Sequence, residues 1–150
     1  MPTKTKVVNI LYDLALEYPN RGIQGKYKSL DYHRNGNRKK KAQWIISVNE
    51  EIDSFADTKV NNWIDGNKGW GIVIDKYGHK NIGFVRNKGE DIYVYIARFV
   101  GNTATDEWHG YPANVARGAS DRPIDSVLEK WRVSKYISNS EYSRIRRGVL

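Results

Sequence analysis

The stretch Asp106-Glu107-Trp108-His109-Gly110-Tyr111-Pro112 gathers two acids, one of only three histidines and two aromatic rings. Metal-free cleavage of a phosphodiester needs a base for the ribose hydroxyl, an acid for the leaving oxygen and a cation on the phosphate. His, Glu and Arg are the usual suppliers. His109 as acid or base, Glu107 as its partner, and Arg98 or Arg117 as phosphate clamp would fill those roles. The plainer reading is a polar-aromatic loop. Trp108 and Tyr111 would pack, His109 would bond the backbone and Pro112 would fix a turn.

A second group of residues speaks to binding. Between residues 21 and 41 stand Arg21, Lys26, Lys28, Arg34, Arg38, Lys39, Lys40 and Lys41, opposed only by Asp31. A run such as Arg38-Lys39-Lys40-Lys41 repels itself unless an anion binds, and phosphates are the common answer through counterion release. Tyr27, Tyr32, His33 and Trp44 are interleaved with these cations and could stack on bases. A further basic block holds Arg144, Arg146 and Arg147, while residues 50–65 are acidic. The formal net charge is +8. A solvated face that only keeps the chain in solution is the competing reading.

Other chemistries find little support. There is no cysteine, hence no disulfide framework and no thiolate. His33, His79 and His109 lack metal-ligand spacing, so no metal and no cofactor is expected. The stretch Gly66-Asn67-Lys68-Gly69-Trp70-Gly71 lacks the Gly-Lys-Ser/Thr ending of a phosphate loop. No apolar run approaches the ~18 residues of a membrane span. Residues 7–18 are broken by Asn9, Asp13 and Glu17, unlike a secretory signal. The expected compartment is the cytoplasm.

The elements that must position these residues follow from periodicity. With 150 residues, a single domain over 1–150 is expected, carrying a basic loop at 20–41. Val7, Ile10, Leu11, Leu14 and Tyr18 at helical spacing predict an N-terminal helix over 5–18, ended by Pro19. Residues 43–48 predict a strand. Ser47 and Glu50 at capping-box spacing open a helix expected over 50–65. Strands near 69–75, 80–86 and 91–100 form a meander, and residues 101–122 a polar loop. Pro123 opens one short helix, and the Ser138/Glu141 capping box opens another. The expected class is α+β, a small antiparallel sheet with helices packed on it.

The segment Lys80-Asn81-Ile82-Gly83-Phe84-Val85-Arg86-Asn87 resembles the first ribonucleoprotein stretch of RNA-recognition motifs, where a cation, a glycine and Phe-Val stand at these offsets. That resemblance implies a sheet that stacks RNA bases. Asn81 departs from the pattern's glycine, and Ile82 and Asn87 stand where it needs aromatics. In size, charge and a sheet-borne site the chain is also similar to small basic ribonuclease toxins, an analogy at the level of fold.

Three function classes follow. The first is a non-enzymatic protein binding nucleic acid, RNA above all, or another phosphorylated polyanion. It would use Arg34, Arg38, Lys39, Lys40, Lys41, Tyr27, Tyr32 and Trp44, with Arg144, Arg146 and Arg147 of the last helix. The second is a metal-independent ribonuclease built on the 106–112 stretch. The third is an inhibitor or immunity-type module whose basic face meets an acidic protein partner.

Overall fold

The computed structural model describes residues 5–37 and 41–150. The chain opens with β1 (Leu11–Asp13) and a single helical turn, α1 (Leu14–Glu17), then β2 (Lys26–Lys28) and a 3-10 turn at Asp31–His33. Next come β3 (Gln43–Trp44) and the main helix α2 (Val48–Val60), followed by β4 (Ile64–Asp65) and β5 (Lys68–Ile72). A small hairpin, β6 (Ile74–Asp75) and β7 (Gly78–His79), precedes β8 (Gly83–Asn87) and β9 (Glu90–Val94). The long hairpin β10 (Ile96–Asn102) and β11 (Glu107–Pro112) leads to α3 (Asp125–Val133) and α4 (Asn139–Arg146). The class is α+β. No helix among the described residues is long and apolar enough to cross a membrane.

The main sheet runs β1-β2-β11-β10-β5-β4. All its pairs are antiparallel except β2 with β11. One face packs on α2. Phe99 and Trp108 point to that side and meet Phe55 of the helix at centroid distances of 4.9 and 5.2 Å. Glycines let these rings and the helix approach the backbone. A Cβ at Gly71 would lie 2.9 Å from Ser54 and Thr58 of α2, and one at Gly110 would lie 2.4 Å from the Phe99 ring. The other face turns Arg98, His109 and Tyr111 away from α2. Toward β5 it is covered by α3 and α4, whose Val127, Leu128, Trp131 and Ile145 form a second core with Trp70 and Ile72. β3, β8 and β9 make a separate three-stranded sheet.

α2 starts where the capping box places it: Ser47 accepts from the Glu50 amide at 3.1 Å, and the Glu50 carboxylate accepts from the Ser47 amide. α4 has the same device at Ser138 and Glu141. Several expectations are corrected. The helix expected over 5–18 forms only its last turn. Asn9 adopts a left-handed backbone (φ 63°) and donates to the Ser29 carbonyl, and Leu11–Asp13 pair with β2. Leu14 is buried but Val7 and Ile10 are 50% and 48% exposed, so most of the expected helical face has no core to meet. α2 ends at Val60, because Asn62 turns left-handed and sends Trp63 and Ile64 into the β4 side of the sheet. The expected meander does not form one sheet: β5 pairs with β10, while β8 pairs with β3 and β9. The expected loop at 106–112 is the strand β11, with Trp108, Gly110 and Pro112 inward and Glu107, His109 and Tyr111 on the opposite face.

A buried carboxylate ties the loop 26–34 to α2. Glu51 is fully buried and accepts from Ser29 Oγ at 2.6 Å, from the Tyr27 hydroxyl, and from Arg34 Nε and Nη2 at 3.1 and 2.7 Å. Burial raises its pKa, with Ser29, Tyr27 and Arg34 opposing that shift. Every partner donates, which is the geometry of an ionised carboxylate. Arg34 Nη1 also donates to the Ile46 carbonyl at 2.7 Å. Replacing Arg34 by Met leaves that anion buried without its cation. A loss of about 3–5 kcal/mol is expected, measured by denaturant unfolding.

Candidate functional site

Three segments converge beside the open part of the sheet. β11 contributes His109 and Tyr111, the 3-10 turn contributes Tyr32 and His33, and the segment after β11 contributes Asn114, Arg117 and Asp121. With Lys41, Arg86 and their neighbours they enclose a cleft of about 440 Å³. His33 is clamped on both sides. Arg34 is held by Glu51, and Gln43 Nε2 donates to the Tyr32 carbonyl at 2.9 Å while its Oε1 accepts from the Gly36 amide at 2.9 Å.

The two imidazoles differ in useful ways. His33 Nδ1 lies 2.9 Å from the Ala42 carbonyl, an acceptor, so Nδ1 carries the proton and Nε2 is left with a free lone pair. The ring stacks on Tyr111 at 5.4 Å and 26°. His109 Nδ1 is buried without a hydrogen-bond partner. A proton there would have no acceptor, so the neutral ring carries its proton on Nε2. Burial lowers the pKa of both rings. For His33 the nearby Lys41 and His109 add to that effect, against the Ala42 carbonyl.

Asp121 is the anchor behind the cleft. Its carboxylate, 1% exposed, accepts from the Tyr111 hydroxyl and the Asn114 amide, each at 2.9 Å, and pairs with Arg117 Nη2 at 3.2 Å. Burial beside this anion pushes the Tyr111 pKa up to about 12, so its hydroxyl stays protonated as a donor. The Arg117 side chain is 66% exposed and can reach a ligand while paired. Lys41 Nζ lies 5.2 Å from the centroid of the Tyr32 ring. Among the described residues, no group of three or more His, Cys, Asp or Glu is placed to hold a metal ion.

On the far side of His109 lies a second depression, of about 320 Å³. Lys28, Val100, Asn102 and Glu107 help to line it, and His109 is the wall it shares with the cleft. The open face of the sheet thus carries a groove of two neighbouring depressions, with His109 in the wall between them.

Of the catalytic candidates, His109 and Arg117 meet in the cleft. Glu107 does not partner His109: it sits two residues away along β11, opposite Asn102, and only burial perturbs the imidazole. Arg98 is no phosphate clamp. It is 5% exposed, donates to the Ser120 and Phe99 carbonyls at 2.9 and 2.6 Å, and lies over the Trp70 ring. Of the binding candidates, Tyr32 and Lys41 line the cleft. Tyr27 and Trp44 are core, at 0% and 6% exposure, so neither ring can stack on a base. Arg34 is spent on Glu51. Arg144 donates to the Leu150 carbonyl, Arg146 pairs with Asp125, Arg147 donates to the Ser143 carbonyl, and none of them lines the cleft. Arg38, Lys39 and Lys40 lie outside the described residues.

Sequence reasoning did not place His33 in one cleft with His109, nor Asp121 behind it. The one signal for His33 was its place in a long aperiodic segment, which marks function or mobility without naming a partner. The third histidine, His79, stacks on Tyr95 at 3.8 Å and pairs with Glu141, fastening the β6–β7 hairpin to α4 away from the cleft. The segment 80–87, likened to an RNA-recognition strand, contains β8, which lies between β3 and β9 in the three-stranded sheet. Comparison of the chain with protein-family models, with curated proteins and with solved structures finds no match.

Burial favours the neutral imidazoles, so protons bind the unfolded chain more readily below its ordinary histidine pKa. Both rings are expected to titrate below pH 6.5 when followed by NMR, and stability should fall as pH drops through that value.

Proposed function

We propose that the protein is a ribonuclease of the cytoplasm that cleaves RNA by internal transesterification, with the two cleft histidines as base and acid. The observation that carries this reading is a pair of imidazoles, His33 buried and His109 partly buried, with different tautomers in one cation-rimmed cleft. His33 Nε2 takes the proton from the ribose 2′-hydroxyl. The 2′ oxygen bonds to phosphorus as the bond to the 5′ oxygen breaks, and protonated His109 gives its Nε2 proton to that oxygen. The products are a 2′,3′-cyclic phosphate end and a 5′-hydroxyl end. Arg117 and Lys41 stand beside the cleft to offset phosphate charge. A protonated His109 is a strong acid here, because its Nδ1–H is buried without an acceptor.

Wild-type protein should cleave RNA in excess EDTA and leave cyclic-phosphate ends. His33→Ala and His109→Ala should each lower the rate by about 100-fold or more while the circular dichroism is unchanged. Because one ring must be neutral and the other charged, and both pKa values are lowered, kcat/KM should peak on the acid side of pH 6.5. A substrate with 2′-deoxyribose throughout should remain intact. Salt-sensitive retention of RNA without cleavage would leave a binding protein. The second reading rests on Lys28 and Lys41, which form no ion pair with a carboxylate among the described residues and line the groove. Neither retention nor cleavage would remove both.

A further inference from the structure

The depression beside His109 has a polar pattern of its own. Glu107 and Asn102 are cross-strand partners on the β10–β11 hairpin, and both line it. Among the described residues the Glu107 carboxylate neither accepts a hydrogen bond nor forms an ion pair, so its two oxygens are available as acceptors. Asn102 Oδ1 accepts from the Ala104 amide at 3.0 Å, which leaves its Nδ2 to donate outward. Lys28 adds a second donor at the same rim, and Leu11, Leu30 and Val100 supply apolar walls.

Two acceptor oxygens beside a donor select among the bases. Guanine alone presents two adjacent donors, N1–H and the N2 amine, next to an acceptor, O6, on one edge. Adenine, cytosine and uracil would each set a lone pair against the carboxylate, and a site built to bond a group rejects ligands that lack it. Resting on the ribonuclease reading for its biological sense, we infer that this depression is a guanine-binding subsite. Glu107 accepts from N1–H and the N2 amine, and Asn102 Nδ2 or Lys28 Nζ donates to O6. A guanosine nucleotide seated there places its phosphate at His109, the wall shared with the cleft.

The test uses the intact protein and four mononucleotides, the 3′-phosphates of guanosine, adenosine, cytidine and uridine, titrated by calorimetry or by chemical shift. The guanosine nucleotide should bind at least about tenfold more tightly than the others, as two charge-assisted hydrogen bonds imply. Glu107→Gln, which replaces one acceptor oxygen by a donor, should collapse that preference. Asn102→Ala should weaken it in the same direction. Equal affinities for all four, absence of binding included, would overturn the assignment, as would a guanosine preference that survives Glu107→Gln. Cleavage of RNA after every base alike would sink the guanine site and leave the ribonuclease standing. Guanosine-selective binding with RNA left intact would do the reverse.

Discussion

The buried Glu51–Arg34 pair is the constraint on which the candidate site depends. A carboxylate with no solvent contact sits on the sheet-facing side of α2, and its donors come from a segment with little regular structure. Such a charge is tolerated only when every lone pair is met, so Tyr27, Ser29 and Arg34 have one arrangement open to them. That arrangement delivers His33, the residue just before Arg34, to the edge of β11. Gln43 fastens the next stretch of backbone, so the loop is held from α2 on one side and from β3 on the other. A loop is thereby made stiff enough to present an imidazole with a defined tautomer.

The sheet supplies the other half of the site through its period of two. On β11 the inward set, Trp108, Gly110 and Pro112, meets the core, and the alternate set, Glu107, His109 and Tyr111, lines the groove. The same division on β10 sends Phe99 to α2 and Arg98 to the opposite side. One face is thus committed to packing, and the part of the other that α3 and α4 leave open is free for chemistry.

Charge is distributed in a way that composition alone does not reveal. Several cations are paired with acids of the same chain: Arg21 with Asp57, Lys59 with Asp106, Lys80 with Glu50, Arg86 with Asp91, and Arg146 with Asp125. Exposed pairs of this kind contribute little to stability, but they take cations out of competition for a polyanion. Lys28 and Lys41, which do not pair with carboxylates among the described residues, border the groove. The groove thus carries positive charge beside the imidazoles, while other cations outside these pairs, such as Lys68, Lys76, Lys88 and Lys135, lie elsewhere on the chain.

The amino-acid sequence by itself determined the α+β class, both capping-box starts and the two C-terminal helices, and it singled out His109 and Arg117, which line one cleft. These are carried by contacts a few residues apart, or by residue chemistry that position does not alter. Tertiary structure decided that β5 pairs with β10, that Tyr27, Trp44 and Arg34 serve the core, and that His33 and His109 line one cleft. Those outcomes turn on which distant groups share a buried space. An isolated tyrosine or arginine reads the same in sequence whether its partner is a nucleotide or a glutamate on the chain's own helix. Desolvation makes that choice, and it acts only once the layers have closed.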